Sequence, residues 1–166
     1  MKFFFLLKNW QLFLLSFVLP NLISSFNFFE NKNQDFKMIS MLIMIFSIFG
    51  WIWSVVNVLY RKLPTKETFN IWKFRIIFLL TISILIWILW IVENNLIKNN
   101  ILLLILGVFT YLGFMIYLVL TTAKTLKSVE LQKEVSIQDS FLDAILIWIF
   151  PLGIWIIQPR INALNK

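Results

Sequence analysis

Residues 38–60 read MISMLIMIFSIFGWIWSVVNVLY, twenty-three positions without a charge. At 1.5 Å rise per residue, roughly 20 apolar residues cross the hydrocarbon core of a bilayer. Three more uncharged runs lie at 9–29, 76–92 and 101–120. The third run in chain order is short, but it gains a turn from 71 to 75, where Lys73 and Arg75 can snorkel to the interface. The spacing therefore predicts an all-α, polytopic membrane bundle of four transmembrane helices at about 9–29, 38–60, 71–92 and 101–120. The whole chain, 1–166, forms one membrane domain.

Composition agrees. Of the 166 residues, 60% are hydrophobic and 14% charged, more apolar surface than a soluble domain of this size can hide. Cysteine and histidine are both absent. That removes disulfides, thiolate metal sites, the commonest general base and the commonest metal ligand. No glycine-rich phosphate loop or metal-ligand spacing occurs, and no pair of membrane-level carboxylates is present. The reading is a non-enzyme with no catalytic residues, no cofactor and no metal. The net charge of +7 does not imply nucleic acid, because the basic residues sit in short loops beside the apolar runs. Lys2 and the apolar stretch after it resemble a signal peptide, but Lys8 interrupts it and no small-x-small cleavage site follows. A retained first helix is expected.

The loops set the orientation. Ten Lys and Arg fall before the first run, between the second and third, and within 121–135 after the fourth, against three in the alternate loops; with Arg160 and Lys166 inside the tally is twelve to three. This predicts a cytoplasmic N-terminus, with Asn-rich turns outside. Trp10, Tyr60, Trp72, Trp87 and Trp90 stand where an aromatic belt belongs.

In the second run Ser40, Ser47, Gly50, Ser54 and Asn57 share one face, a helix-packing stripe or a polar path, with Ile52 on the outward side. The fourth run carries Thr110, Tyr117 and Lys124 at heptad spacing with Gly107 nearby, a face that could meet the first stripe. Residues 121–135 read as a cytoplasmic extension of the fourth helix with Lys127–Glu130 pairing along it. Ser136 and Asp139 resemble a helix start. Residues 141–158 are apolar but broken at Pro151 and Gly153. They are expected as a re-entrant or interfacial helix with Arg160 inside and Pro159 as its stop, and a fifth span stays open. Asp143 lies at its mouth, with Arg160, Lys124 or Lys127 as candidate partners, and Gln158 and Arg160 could reach headgroups or a partner. The candidate interaction residues are thus Ser47, Gly50, Ser54, Asn57, Asp143, Pro151, Gly153 and Arg160.

The ending Phe150-Pro151-Leu152-Gly153-Ile154-Trp155-Ile156-Ile157-Gln158-Pro159-Arg160-Ile161-Asn162, together with Val129-Glu130-Leu131-Gln132 and Trp51-Ile52-Trp53-Ser54, resembles small uncharacterised bacterial membrane proteins of about four spans. That resemblance implies the bacterial cytoplasmic (inner) membrane and no activity. Three roles follow as expectations: an accessory or scaffolding component of a cell-envelope assembly, with a protein partner or a second copy; a small transporter or channel subunit; or an immunity or sensor protein.

Overall fold

The computed structural model describes residues 3–26, 34–64, 69–94 and 96–164. Much of the two predicted external turns, and Lys2, Lys32, Lys66 and Lys166, lie outside the described residues or have undescribed side chains. Every regular element among the described residues is helical: α1 (Phe3–Leu6), α2 (Asn9–Phe13), α3 (Leu19–Phe26), α4 (Gln34–Leu59), α5 (Ile71–Glu93), α6 (Ile97–Leu131), α7 (Phe141–Trp148) and α8 (Phe150–Ala163). A π turn, Leu14–Val18, joins α2 to α3, and a 3₁₀ turn, Tyr60–Lys62, closes α4.

Three helical stretches are long and apolar enough to cross a membrane: Met38–Lys62, Ile71–Val92 and Ile101–Leu131. The run at 9–29 is not one regular helix. Pro20 has no N–H to return to the carbonyl of Ser16, and its ring crowds that carbonyl. The turn before it widens, and the Leu19 N–H reaches back to the carbonyl of Leu14, five residues away.

Local chemistry sets several ends. Asn70 caps α5, its side-chain oxygen accepting from the Lys73 N–H at 2.9 Å. α6 runs unbroken through the apolar stretch and its polar extension for 35 residues, about 50 Å. It stops where Gln132 turns left-handed at φ 50°, and the Gln132 amide donates to the carbonyl of Val129. The Ser136–Asp139 pair forms reciprocal bonds, yet it organises a turn at 137–140, and α7 begins only at Phe141.

α4 is the central helix. It packs on α1, on the α2–α3 unit and on α6, while α5 packs chiefly on α6. Aromatic contacts bridge α4 to α5, with Trp53 4.8 Å and Phe49 5.7 Å from Phe78, ring to ring. The fully buried side chains Trp51, Ile52, Leu59, Phe74, Leu118, Leu126, Ile154 and Ile157 come from α4, α5, α6 and α8. The N-terminal part of α6 contributes little, for Leu102 and Phe109 are exposed.

Two further expectations fail here. Ile52 does not face outward; it is 1% exposed, because α4 is surrounded on most of its circumference at that level. Pro159 does not end the last segment, which continues to Ala163. Tertiary anchors on both sides of the proline hold the helix through it: Gln158 and Ile161 are fully buried, and Arg160 is ion-paired.

Candidate functional site at the C-terminal helical hairpin

α7 and α8 fold back on one another at Ile149, where the backbone leaves the helical region (φ −84°, ψ 63°). Pro151 sits at the start of α8, where its missing N–H costs nothing. Gly153 makes the fold-back possible. A Cβ there would overlap the carbonyl oxygen of Leu146, so only glycine lets the two backbones meet. Leu146 beside Gly153, and Asp143 beside Arg160, set the two helices side by side in opposite directions.

The open end of this hairpin is closed by ions. Asp143 is 5% exposed. Arg160 donates to it through Nη1 at 2.6 Å and Nη2 at 3.1 Å. The same guanidinium grips Glu130 of α6 through Nε at 2.7 Å and Nη2 at 2.5 Å. Lys127 Nζ lies 3.8 Å from Asp143. Hydrogen bonds first to Glu130 and then to Asp143 hold the Arg160 pKa above its already high ordinary value. Two cations thus face two carboxylates. Removing charge from water is costly unless each ion is paired and hydrogen-bonded, and the planar Arg fork satisfies two carboxylates at once. Of the expected partners of Asp143, Arg160 and Lys127 take the role. Lys124 pairs instead with Glu134 at 3.7 Å, and Glu130 turns to Arg160 and not to Lys127 along the helix.

A second junction was not anticipated. Gln158, expected to reach outward, is fully buried. Its Oε1 accepts from the indole N–H of Trp51 at 2.7 Å, and its Nε2 donates to the carbonyl of Leu7 at 2.7 Å. Leu7 lies in the break between α1 and α2, so its carbonyl has no helical partner of its own. One glutamine therefore ties the N-terminal break, α4 and α8 together. The signal available in the sequence was an uncharged polar residue inside an apolar stretch facing a Trp-rich helix.

The α4 stripe is a packing face in part. Ser47 and Ser54 are buried, and the Ser47 hydroxyl donates to its own helix at Ile43. Gly50 receives the ring of Phe4 from α1, which occupies the space a Cβ would need. Asn57 donates to the carbonyl of Trp53 and accepts from Arg75 Nη2 at 2.9 Å. Gly107 does not meet this stripe; it lies against Trp87 of α5. Tyr117 sits beneath the Lys73 ammonium, 5.6 Å from its ring centre. Ser47, Gly50, Ser54 and Asn57 on one side and Asp143, Pro151, Gly153 and Arg160 on the other therefore form separate clusters, linked through Trp51 and Gln158. Among the described residues, no cluster of three or more metal-ligating side chains occurs.

Comparison with protein-family models, with curated proteins and with solved structures found no match to this chain.

Proposed function

We propose that this chain is a non-catalytic, multi-span protein of the bacterial cytoplasmic membrane, serving as an accessory or scaffolding component of a cell-envelope assembly. In this reading the 9–26 unit is a fourth span beside α4, the N-terminus is cytoplasmic, and the α7–α8 hairpin dips into the inner leaflet with both ends in the cytoplasm. The observation that carries the proposal is the self-neutralising closure of the hairpin. Arg160, Glu130, Asp143 and Lys127 satisfy one another, while Leu142, Trp148, Leu152 and Trp155 on the hairpin are each about half or more exposed. Such a surface suits packing against another apolar protein face.

The hydroxyls within the spans favour this over a transporter. Ser47, Thr81, Ser83, Thr110 and Thr122 each donate to a carbonyl one turn back on their own helix. A solute path would use such groups as lining.

Co-purification from native membranes in mild detergent tests the proposal. A stable partner is expected with the wild-type chain. The double variant Leu142→Ser and Leu152→Ser should lose that partner while the protein level holds. Recovery of a lone monomer from wild-type membranes would overturn the reading.

A further inference from the structure

Between α4 and α5 lies a crevice of about 420 Å³, with the bridging rings of Phe49, Trp53 and Phe78 in its wall. Its walls include Leu42, Phe46 and Trp53 from α4 and Phe78, Ile82 and Leu89 from α5, and every lining residue is apolar or glycine. From Leu42 to Trp53, and equally from Phe78 to Leu89, the helices rise about 16 Å. That is close to the depth of one leaflet, half of a hydrocarbon core about 30 Å thick.

A cation stands just beyond the Trp53–Phe78 end of the crevice. Arg75 stands one turn from Phe78, its guanidinium 5.9 Å from the Trp53 ring centre and 5.3 Å from that of Trp72. Its Nη2 donates to Asn57, its Nε is enclosed without a hydrogen-bond partner, and no carboxylate pairs with it among the described residues. A partly enclosed cation without a counter-charge is costly. Trp72, 68% exposed, marks the level as interfacial. The other cations near hairpin and loop differ: Arg160 is fully matched by carboxylates, and Lys62 donates to the carbonyl of Leu164.

We infer that this crevice is a binding site for one anionic phospholipid of the inner leaflet, its phosphate on Arg75 and an acyl chain along α4 and α5. Charge complementarity selects the headgroup, since a guanidinium that no carboxylate pairs among the described residues suits a phosphate oxygen. Length and apolarity select the chain. The inference uses the membrane placement of α4 and α5 but not the accessory role, and its readout involves no protein partner.

The test uses the full chain in detergent mixed with equimolar phosphatidylglycerol and phosphatidylcholine, washed, with retained lipid counted by mass spectrometry. Wild type should retain phosphatidylglycerol with roughly tenfold preference, as expected for a charge-assisted phosphate contact. Arg75→Gln should abolish the preference. Ile82→Trp, which fills the crevice and leaves Arg75 untouched, should lower retention of phosphatidylglycerol itself and decides the matter if the Arg75 variant does not fold. Glycerol 3-phosphate, which carries the anion without chains, should not displace the lipid at equal concentration. Equal retention of both lipids by wild type, an unchanged preference in Arg75→Gln, unchanged retention in Ile82→Trp, or displacement by glycerol 3-phosphate would each overturn the site.

Discussion

At Gly153 the choice of residue is set by backbone, not by conformation. The atom that a Cβ would meet is the carbonyl oxygen of Leu146, which belongs to a helix and cannot swing aside. Gly153→Ala should therefore destabilise the protein by about 1–3 kcal/mol or more, the usual range of overpacking. Gly113 offers the control, because nothing lies within 4 Å of the place its Cβ would take. Gly113→Ala should be neutral, or stabilising by about 0.5–1 kcal/mol from helix propensity. Melting temperatures in one detergent compare the two, and equal shifts would contradict the fold-back at Ile149. Asp139 gives a second residue-level expectation. Hydrogen bonds from the Ser136 hydroxyl and backbone N–H hold its carboxyl below the usual carboxylate range. A carboxylate with a lowered folded pKa favours the folded turn above its ordinary value, and that contribution fades as pH falls through the lowered one. Ser136→Ala should move the Asp139 titration, followed by carbon-detected NMR, upward toward the ordinary range.

The helices themselves were largely legible in the sequence, and their faces were not. An uncharged run of membrane length has one physical reading, so α4, α5 and the apolar part of α6 follow from the residues, as does the polar continuation of α6 to Leu131. That 141–158 is broken, and that Asp143 pairs with Arg160, were also readable, but the break falls at Ile149 and α8 runs on through Pro151 and Gly153. Which side of a span packs is a different matter. Lipid and protein neighbours are both apolar, so hydrophobic periodicity carries little information there. That weak signal points Ile52 outward, and the residue is buried. The π turn before Pro20 escaped because one proline in a long apolar run reads as tolerated. Gln158 escaped because its partners, Trp51 and the Leu7 carbonyl, are more than a hundred residues away in sequence. That junction predicts strong coupling between elements. Gln158→Leu strands the Trp51 N–H and the Leu7 carbonyl and should cost about 1–3 kcal/mol. Trp51→Phe strands the Gln158 oxygen and opens a cavity. The double variant should lose less than the sum of the two, and strict additivity would mean the glutamine and tryptophan do not meet.

For the whole molecule, packing and charge point the same way. The densest core gathers Trp51 to Leu59 of α4, Phe74 of α5, Leu118 to Val129 of α6 and Ile154 to Ile161 of α8, at the end where most of the cations lie. The outer part of α6, from Ile101 to Phe109, is mostly exposed, as suits a helix facing lipid. In the proposed orientation, which the ten-to-three bias of Lys and Arg supports, the crowded end faces the cytoplasm. Within that frame the hairpin has a defined direction. Phe150 lies 5.3 Å from Trp51, ring to ring, and Lys62 donates to the carbonyl of Leu164, so α8 runs alongside α4 from mid-helix to its Lys62 end. Leu164 then lies on the same side as Lys62. Single cysteines at Asn33 and Asn99 should react with an impermeant thiol reagent added outside, and one at Thr65 should not. The native chain has no cysteine to confuse the signal. Alkaline phosphatase fused after Lys166 should be inactive, because it folds only outside the cytoplasm. Active phosphatase would turn 141–158 into a fifth span and pull Arg160 away from Glu130. The hairpin closure and an external tail are therefore mutually exclusive, and one fusion distinguishes them.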